Sequence, residues 1–239
     1  MKLPFFYIEN ANATDDLLVL DEDTSKHVVG VLRMKRDEAL HITDGKGNLF
    51  TATIVDDHKK RCAVKITDTQ FIAPPQRKVV IAVSVLKNSS RFEWFLEKAT
   101  EIGINAIVPL VCERTEREKF RRDRMLHILM SAMLQSQQCW LPVLHEPIGY
   151  ELLFAQEEVV NTKQKFIAHC IETDKKDLQN MADKATPSQI ILIGPEGDFT
   201  QAEVDMALQQ NFIPVSLGDT RLRAETAALV AAVLLRTGV

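Results

Sequence analysis

The stretch QIILIGPEGDFT, residues 189–200, runs from an apolar strand pattern directly into a loop with two glycines. A second stretch, IPVSLGDTRLRAETAA, residues 213–228, follows the same plan and then continues into a helical pattern. In open parallel sheets, ligands bind in the crevice beyond the carboxyl ends of the strands, and glycine lets backbone amides approach a flat ligand. These loops therefore predict a ligand site, although G-P-E-G also occurs as a simple tight turn.

Strand and helix patterns alternate along the chain from Lys78 onward. The continuous apolar run Lys78–Leu86 is typical of a strand buried on both faces. Ser90–Ile102 has helical spacing and is followed by Gly103, which is suited to a C-terminal cap. Further strands are predicted at Ile104–Val111, Phe166–Cys170, Gln189–Ile193 and Ile213–Leu217, and further helices at Arg124–Cys139, near Lys175–Lys184, after Thr200 (with Glu203 completing a capping box) and at Arg223–Arg236. We expect an α/β fold in which helices cover a parallel sheet.

The first part of the chain has a different pattern, with short strands and one helix. The helix is expected to be capped by Thr24 or Ser25, with Val28, Val29, Val31 and Leu32 on its apolar side. D-G-K-G at 44–47 predicts a hairpin because glycine accepts positive φ. The strands are predicted at Leu3–Ile8, Leu17–Leu20, Ala39–Thr43, Leu49–Val55 and Cys62–Ile66. We expect a small β-barrel or sandwich, and the two prolines within Phe71–Arg77 place a domain boundary there, giving domains 1–72 and 73–239.

Composition excludes several classes of protein. A chain of 239 residues with a net charge of −4 has room for two modest domains, and its charge neither favours nor excludes nucleic-acid binding. The four cysteines form no C-x-x-C pair, so no metal site or disulfide framework is expected. The N-terminus does not resemble a signal peptide and no apolar run has spanning length, which favours a soluble cytoplasmic protein. Glycine motifs of dinucleotide-binding enzymes and P-loop hydrolases are also missing.

The loop sequences IGPEGDF, 193–199, and SLGDTRLRAETAA, 216–228, resemble the 16S ribosomal RNA uridine-N3 methyltransferase family of the SPOUT class. The resemblance covers nearly the whole chain. HVVGVLR at 27–33 is similar to the family's N-terminal motif, and residues 87–103 are similar to the motif that opens its catalytic domain. The L-R-x-E-T-A element at 222–227 is the most specific of these matches.

The resemblance implies a PUA-like N-terminal barrel that helps to hold RNA, a SPOUT domain threaded into a trefoil knot, and a homodimer. It implies S-adenosylmethionine as cofactor and a uridine of 16S rRNA in the small ribosomal subunit as target. Loops 193–198, 216–220 and 222–226 would hold the cofactor. The implied cofactor-binding residues are Ile193, Gly194, Pro195, Glu196, Gly197, Leu217, Gly218, Leu222, Arg223, Ala224 and Thr226.

Two positions depart from the family pattern. The family usually has P-E-G-G, and Asp198 stands in place of the second glycine. Aspartate tolerates positive φ better than most residues, so we expect the loop to keep its shape. The family's Gln-Ser pair is typically followed two residues later by arginine, whereas Gln135 and Ser136 are followed by Gln137 and Gln138.

Methylation at N3 of uracil requires loss of a weakly acidic proton, and positive charge beside the uracil carbonyls would stabilise the anion. Arg223 is the best candidate for this catalytic role because it belongs to the loop expected beside the cofactor. Glu225 is the second catalytic candidate, as a proton acceptor or as a residue that orients Arg223. A carboxylate in the first turn of a helix is equally explained by the helix dipole.

Basic residues in both domains are candidates for binding RNA. Candidates are Arg33, Lys35 and Arg36 in the first domain, and Lys87, Arg91 and Arg114 in the second. The run REKFRRDR at 117–124 has five positive and two negative residues, which favours a solvated helix start over an RNA patch. His27 and His169 are expected to pack rather than to titrate for function.

Two alternatives to 16S rRNA uridine-N3 methylation stay open. The same fold and cofactor could serve another RNA position. The chain could also be a non-catalytic RNA-binding factor in ribosome assembly, for which the departures at Asp198 and after Ser136 are the only support.

Overall fold

The computed structural model of the chain describes residues 3–12, 17–116, 119–172 and 175–237. The chain divides into two compact units. The first comprises Met1–Pro74 and Met133–Leu141, and the second comprises Pro75–Ala132 and Pro142–Val239. The domain bounds 1–72 and 73–239 stay a prediction, and no sequence pattern predicts that Met133–Leu141 joins the first unit.

The first unit contains a five-stranded sheet and one helical segment, which confirms the predicted β-rich N-terminal part. The sheet has the order β1-β3-β4-β5-β2, and its pairs are antiparallel except for β1 with β3. Its core is a cluster of buried apolar side chains that includes Val28, Leu40 and Phe50. The elements are β1 (Phe5–Tyr7), β2 (Leu18–Val19), α1 (Glu22–Ser25), β3 (Ala39–Thr43), β4 (Asn48–Asp56) and β5 (Ala63–Phe71).

The helical segment corrects two details of the prediction. Its N-cap is Asp21, whose carboxylate accepts a hydrogen bond from Thr24 N at 2.8 Å, so capping by Thr24 or Ser25 is wrong. After α1 the chain continues as a π-helix, Lys26–Val31. The wider π turn changes the angular spacing of side chains. Val28 and Val29 are therefore buried as expected, while Val31 and Leu32 are 69% and 42% exposed.

The hairpin between β3 and β4 forms where the D-G-K-G sequence predicts it. Gly45 and Gly47 have φ of +71° and +97°, which side-chain-bearing residues rarely adopt. The segment Met133–Leu141, which belongs to the first unit, holds the hairpin. The Cys139 carbonyl of this segment accepts a hydrogen bond from Gly47 N at 2.8 Å, and its Trp140 Nε1 donates to the Ile72 carbonyl at 2.8 Å.

The second unit is built on an eight-stranded parallel sheet, as predicted. The strand order is β11-β13-β10-β12-β6-β7-β8, with β9 also paired to β7. The elements are β6 (Lys78–Ser84), α2 (Ser89–Ile102), β7 (Ala106–Val111), α3 (Arg122–Gln135, which ends within the first unit), β8 (Val143–Leu144), β9 (Ile148–Gly149), α4 (Tyr150–Leu153), α5 (Glu157–Val160), β10 (Gln164–Ala168), β11 (Lys176–Asp177), α6 (Leu178–Met181), β12 (Ser188–Ile193), α7 (Gln201–Gln209), β13 (Ile213–Ser216) and α8 (Ala224–Thr237).

Several boundaries differ from the prediction for identifiable reasons. Helix α3 ends at Gln135 rather than Cys139 because Gln137, with φ +56°, is left-handed and cannot continue it. The expected helix near Lys175–Lys184 is only the four-residue α6 after strand β11. The short elements β8, β9, α4 and α5 were not predicted, because two-residue strands and single-turn helices carry too little periodicity.

Two predicted helix caps fix where α2 ends and where α7 begins. Gly103 is left-handed, with φ +83°, and ends α2. Thr200 and Glu203 form the complete capping box of α7, in which Thr200 N donates to Glu203 Oε2 at 2.9 Å. The capping box fixes the point at which the chain leaves the 194–198 loop.

A partly buried ionic cluster, centred on Glu158, stabilises the second unit. Glu158 lies 2.7 Å from Lys78 Nζ and 3.0 Å from His145 Nε2, the latter without the alignment of a full hydrogen bond. The contact with His145 and then that with Lys78 lower the pKa of Glu158 to about 2, against the opposite effect of burial.

We expect Glu158→Gln to weaken this cluster and to remove part of the acid dependence of stability. The carboxylate contributes fully above its ordinary pKa of 4.5, and the contribution is lost as pH falls toward the folded-state pKa of about 2. At pH 7 the variant should lose about 1–3 kcal/mol of unfolding free energy, measured by urea denaturation. At pH 2 the difference from wild type should shrink. The exposed neighbour Glu157 provides the control Glu157→Gln, and equal losses in both variants would contradict the assignment.

Candidate active site

A cavity of about 570 Å³ opens beyond the carboxyl ends of three adjacent strands, β13, β10 and β12. Its volume is in the ordinary range for small-molecule sites. The cavity lies where the sequence places the ligand crevice of this parallel sheet, at the ends of the glycine-loop strands, and its role in ligand binding stays a prediction.

Four segments of chain line the cavity. Three are the loops singled out from the sequence: part of 193–198, residues 215–220, and residues 221–224 with Ala227 at the start of α8. The fourth was not predicted and consists of residues 168–170 together with Lys175. The walls combine apolar side chains such as Ile193, Leu217 and Leu222 with backbone of the glycine loops.

Most residues predicted to bind the cofactor come together in this cavity. Gly197 and Thr226 are not among the lining residues. The Gly197 carbonyl accepts a hydrogen bond from Arg114 at 2.8 Å, and the same side chain covers its Cα. The predicted residues that line the cavity are Ile193, Gly194, Pro195, Glu196, Leu217, Gly218, Leu222, Arg223 and Ala224.

The two catalytic candidates are placed differently. Arg223 is exposed and lines the cavity. Glu225 is buried and does not line it, and its carboxylate Oε1 lies 3.7 Å from Arg91 Nε. Its other oxygen, Oε2, is buried without a hydrogen-bond partner in the described residues. Glu225 also lies in the first turn of α8, where a carboxylate interacts favourably with the helix dipole.

Asp198 keeps the left-handed conformation that a glycine would adopt. Its φ is +63°, as expected for an aspartate that replaces glycine in this loop. The Asp198 carboxylate also accepts two hydrogen bonds. Oδ1 accepts a hydrogen bond from Phe199 N at 2.8 Å and Oδ2 accepts one from Cys170 N at 2.7 Å. Asp198 therefore ties the 194–198 loop to the segment that follows β10.

Asp198→Ala should destabilise the second unit by about 1–3 kcal/mol, because the left-handed conformation is unfavourable for alanine and both side-chain hydrogen bonds are lost. Asp198→Gly should lose less because the backbone strain is relieved, and Asp198→Asn should lose least. Chemical denaturation of the three variants measures this order. Equal stability of Asp198→Ala and wild type would show that the two hydrogen bonds carry no net stability.

Comparison with known families decides what kind of domain carries this cavity. A family model described as an RNA methyltransferase domain matches residues 73–236, and one described as an RNA methyltransferase PUA domain matches residues 20–67. The chain belongs to the RNA methyltransferase family. The predicted fold class, a SPOUT-type α/β domain preceded by a small PUA-like β domain, is thereby confirmed.

Similar proteins cover this RNA methyltransferase almost from end to end. A probable rRNA-methyltransferase from Porphyromonas gingivalis is 34% identical, with a TM-score of 0.89 and coverage of 98% of this chain and 99% of that one. A putative methyltransferase from Legionella pneumophila, solved with bound SAM, is 27% identical, with a TM-score of 0.86 over 99% and 98%. Ribosomal RNA small subunit methyltransferase E of Rickettsia conorii is 27% identical over 97% of this chain and 94% of its own.

The basic residues predicted to contact RNA in the second unit of this RNA methyltransferase gather around the cavity loops. Lys87 N donates to Glu196 at 3.2 Å and Lys87 Nζ pairs with Glu116 at 2.6 Å. Arg114 is exposed and bonds the Gly197 carbonyl, while Arg91 faces Glu225. The RNA-binding role of these residues stays a prediction, but their placement beside the cavity suits it.

In the first unit, the predicted RNA-binding residues Arg33, Lys35 and Arg36 are all exposed. Arg33 has a positive φ of 58°, and Lys35 forms a 3.5 Å ion pair with Asp57. In the 117–124 run, the predicted solvated face includes Arg117 and Glu118, which lie outside the described residues. Arg124 of the same run makes two contacts of 2.7 and 2.8 Å with Glu93, as a structural ion pair.

Sequence reasoning missed the segment after β10. The strand was predicted to extend through Cys170, but it ends at Ala168, so His169 and Cys170 lie beyond it and line the cavity. The rule that identified the glycine loops applies equally to this strand end. Cys170 is exposed, whereas Cys62, Cys112 and Cys139 are buried, as expected of structural thiols.

Two other kinds of site are not found in the part of the chain that the structure describes. No group of three or more His, Cys, Asp or Glu side chains is arranged to hold a metal ion. No helix is both long and apolar enough to cross a bilayer.

Proposed function

We propose that this chain transfers a methyl group from S-adenosylmethionine to N3 of a uridine in 16S rRNA of the small ribosomal subunit. The observation that carries the proposal is the cavity at the ends of β10, β12 and β13, with Arg223 exposed at its wall. Relatives named as small subunit rRNA methyltransferases support the substrate class. The N3 position follows from the resemblance of the loop motifs.

The cavity fits S-adenosylmethionine in size and in chemistry. Apolar side chains of Ile193, Leu217 and Leu222 line it beside the backbone of Gly194 and Gly218. An added Cβ at Gly218 would meet no atom within 4 Å, so glycine leaves open space there, and its φ of +119° disfavours any side chain. When bound, the cofactor supplies a methyl group already activated by its sulfonium. Two solved relatives hold this cofactor.

Arg223 is proposed as the catalytic residue. The uracil N3 proton must pass to solvent water before N3 can attack, and the guanidinium would stabilise the negative charge that develops on the adjacent carbonyl oxygens. The pairing edge of the uridine must be exposed for this contact, so the target is unpaired when it binds. The remaining acceleration comes from holding N3 in line with the methyl group.

Glu225 is proposed as a positioning residue rather than a proton acceptor. It does not line the cavity, and its carboxylate forms an ion pair with Arg91 at 3.7 Å. The ion pair would join the first turn of α2, which contains Arg91, to the start of α8, which contains Glu225. Arg91 then joins Lys87 and Arg114 as a basic group beside the site, and the phosphates of RNA would bind there.

The remaining parts of the proposal concern assembly and the first unit. Arg33, Lys35 and Arg36 would extend RNA binding to the PUA-like domain 1–72. The trefoil knot and the homodimer follow from the family resemblance. Because the proposed substrate is ribosomal RNA, cytoplasmic localisation is part of the proposal.

A methyl-transfer assay tests the function. Purified protein, labelled S-adenosylmethionine and small-subunit RNA, free or assembled, should give one labelled nucleoside that mass mapping identifies as N3-methyluridine. A label at another nucleoside would select the alternative of a different RNA position. RNA binding without any transfer would select the assembly-factor alternative. Asp198 lends that alternative no support, since it preserves the loop conformation. Lys184→Ala, an exposed change outside the cavity, is the control for surface charge.

A further inference from the structure

His169 lies at the centre of the cavity wall. It directly follows β10, whose last residue, Ala168, pairs with Ile193 of β12 on one side and Val215 of β13 on the other. His169 therefore follows the strand that lies between the two strands ending in the glycine loops. It lines the cavity and is only 8% exposed.

Both ring nitrogens of His169 lack a hydrogen-bond partner among the described residues, and both are buried. The backbone of Ile171 lies near enough to affect the imidazole, but it does not reach hydrogen-bond geometry. Buried polar atoms in folded proteins nearly always have a partner. An imidazole that is nine-tenths buried, unpartnered and against a cavity indicates that the missing partner is the ligand.

The backbone around His169 is held on two sides. Lys175 Nζ donates to the carbonyls of His169 at 2.7 Å and Ile171 at 2.9 Å. Asp198, the residue that departs from the family glycine, accepts from Cys170 N at 2.7 Å. The backbone that carries the imidazole is thus held in position before any ligand binds, an arrangement that favours tight binding.

The charge state of the imidazole limits the ligand group that it can bind. Burial, followed by the nearby Lys175 charge, lowers the pKa of His169, so the ring is neutral near pH 7. A neutral imidazole has one N–H donor and one acceptor nitrogen. Among the polar groups of the ribose and methionine parts of S-adenosylmethionine, the carboxylate can pair only with the N–H of the ring, and the ammonium can pair only with its acceptor nitrogen. A hydroxyl does both and satisfies either tautomer.

We infer that His169 binds a ribose hydroxyl of the cofactor, and that Lys175 and Asp198 hold the His169–Ile171 backbone so that this hydrogen bond forms. The inference rests on the proposed function, because it requires S-adenosylmethionine in this cavity. It assigns a cofactor contact to the segment after β10, in addition to the three glycine and helix-start loops.

Calorimetry with two probes tests the inference: S-adenosylhomocysteine and its 2′,3′-dideoxy analogue. His169→Ala should weaken binding of S-adenosylhomocysteine by about tenfold and should leave binding of the dideoxy analogue nearly unchanged. His169→Gln, which keeps a donor and an acceptor, should recover part of the affinity. His58→Ala, a change at an exposed histidine of the first unit, is the matched control and should bind like wild type.

Other outcomes overturn the inference in distinguishable ways. Equal weakening of both probes in His169→Ala and His169→Gln would show that the ring acts by packing. Unchanged affinity in both variants would show that His169 makes no contact with the cofactor. If wild type itself bound neither probe, the proposed function would fail, and the inference with it. Thermal unfolding of each variant confirms that it is folded before binding is compared.

Discussion

Arg223→Ala is expected to lower kcat for RNA methylation by about 10²–10³, the usual cost of removing a group that stabilises a developing oxyanion. Arg223 is an exposed cation on the cavity wall, directly before α8. Its contribution is made when N3 loses its proton, so binding of S-adenosylmethionine should change by less than about tenfold. Single-turnover methylation with saturating cofactor and RNA measures the chemical step, and calorimetry measures cofactor affinity separately.

Two variants and the pH profile separate this role from general electrostatics. Arg221→Ala removes a neighbouring exposed arginine that also lines the cavity, and it should cost far less in kcat. Arg223→Lys should recover part of the rate because the positive charge is kept. The deficit of Arg223→Ala should narrow as pH rises, because solvent then removes the N3 proton without help. A deficit that is constant with pH, or equal in the two alanine variants, would contradict the proposed role.

Gly47→Ala should have the largest effect on stability, a loss of about 2–5 kcal/mol in the first unit. A Cβ at Gly47 would lie 2.5 Å from Trp140 Cζ2 and 2.9 Å from Phe71 Cε2, and both rings would have to move. The φ of +97° adds backbone strain. Denaturant unfolding followed by the fluorescence of Trp140, in a Trp94→Phe background, should show the lowered midpoint.

Gly30→Ala is the matched control for that loss. A Cβ at Gly30 would meet no atom within 4 Å, and Gly30 does not have a positive φ. The change should alter stability by less than about 0.5 kcal/mol, as surface substitutions usually do. Equal losses in the two glycine variants would show that the clash with Trp140 does not determine the effect.

Much of the second unit was predictable because its signals are local. The strand Ser188–Ile193, the cap at Gly103 and the capping box of Thr200 with Glu203 all depend on residues close in sequence. The position of the cavity followed from one rule about the ends of parallel strands. The left-handed conformation of Asp198 was expected for the same kind of local reason.

The parts that were missed depend on longer-range contacts or on unusual local geometry. The end of β10 at Ala168 is set by pairing with β12 and β13, so the exposure of His169 to the cavity was not visible in an apolar run that continues through Cys170. The π-helix Lys26–Val31 breaks the period on which the helical prediction relied. The separation of Glu225 from the cavity depends on the rotation of α8, which its motif does not reveal.

The return of Met133–Leu141 to the first unit has a consequence for how the protein is made. During synthesis the hairpin at Gly45 and Gly47 emerges long before Trp140 and Leu141, whose backbone and ring complete its hydrogen bonds. Until residues 133–141 are synthesised, the N-terminal part of the nascent chain therefore lacks these contacts, including the hydrogen bond from Trp140 Nε1 to the Ile72 carbonyl. Transplanting residues 1–74 into another gene would carry along Arg33 and Arg36, which are predicted to bind RNA, but would leave behind the segment that completes the hydrogen bonds of the hairpin.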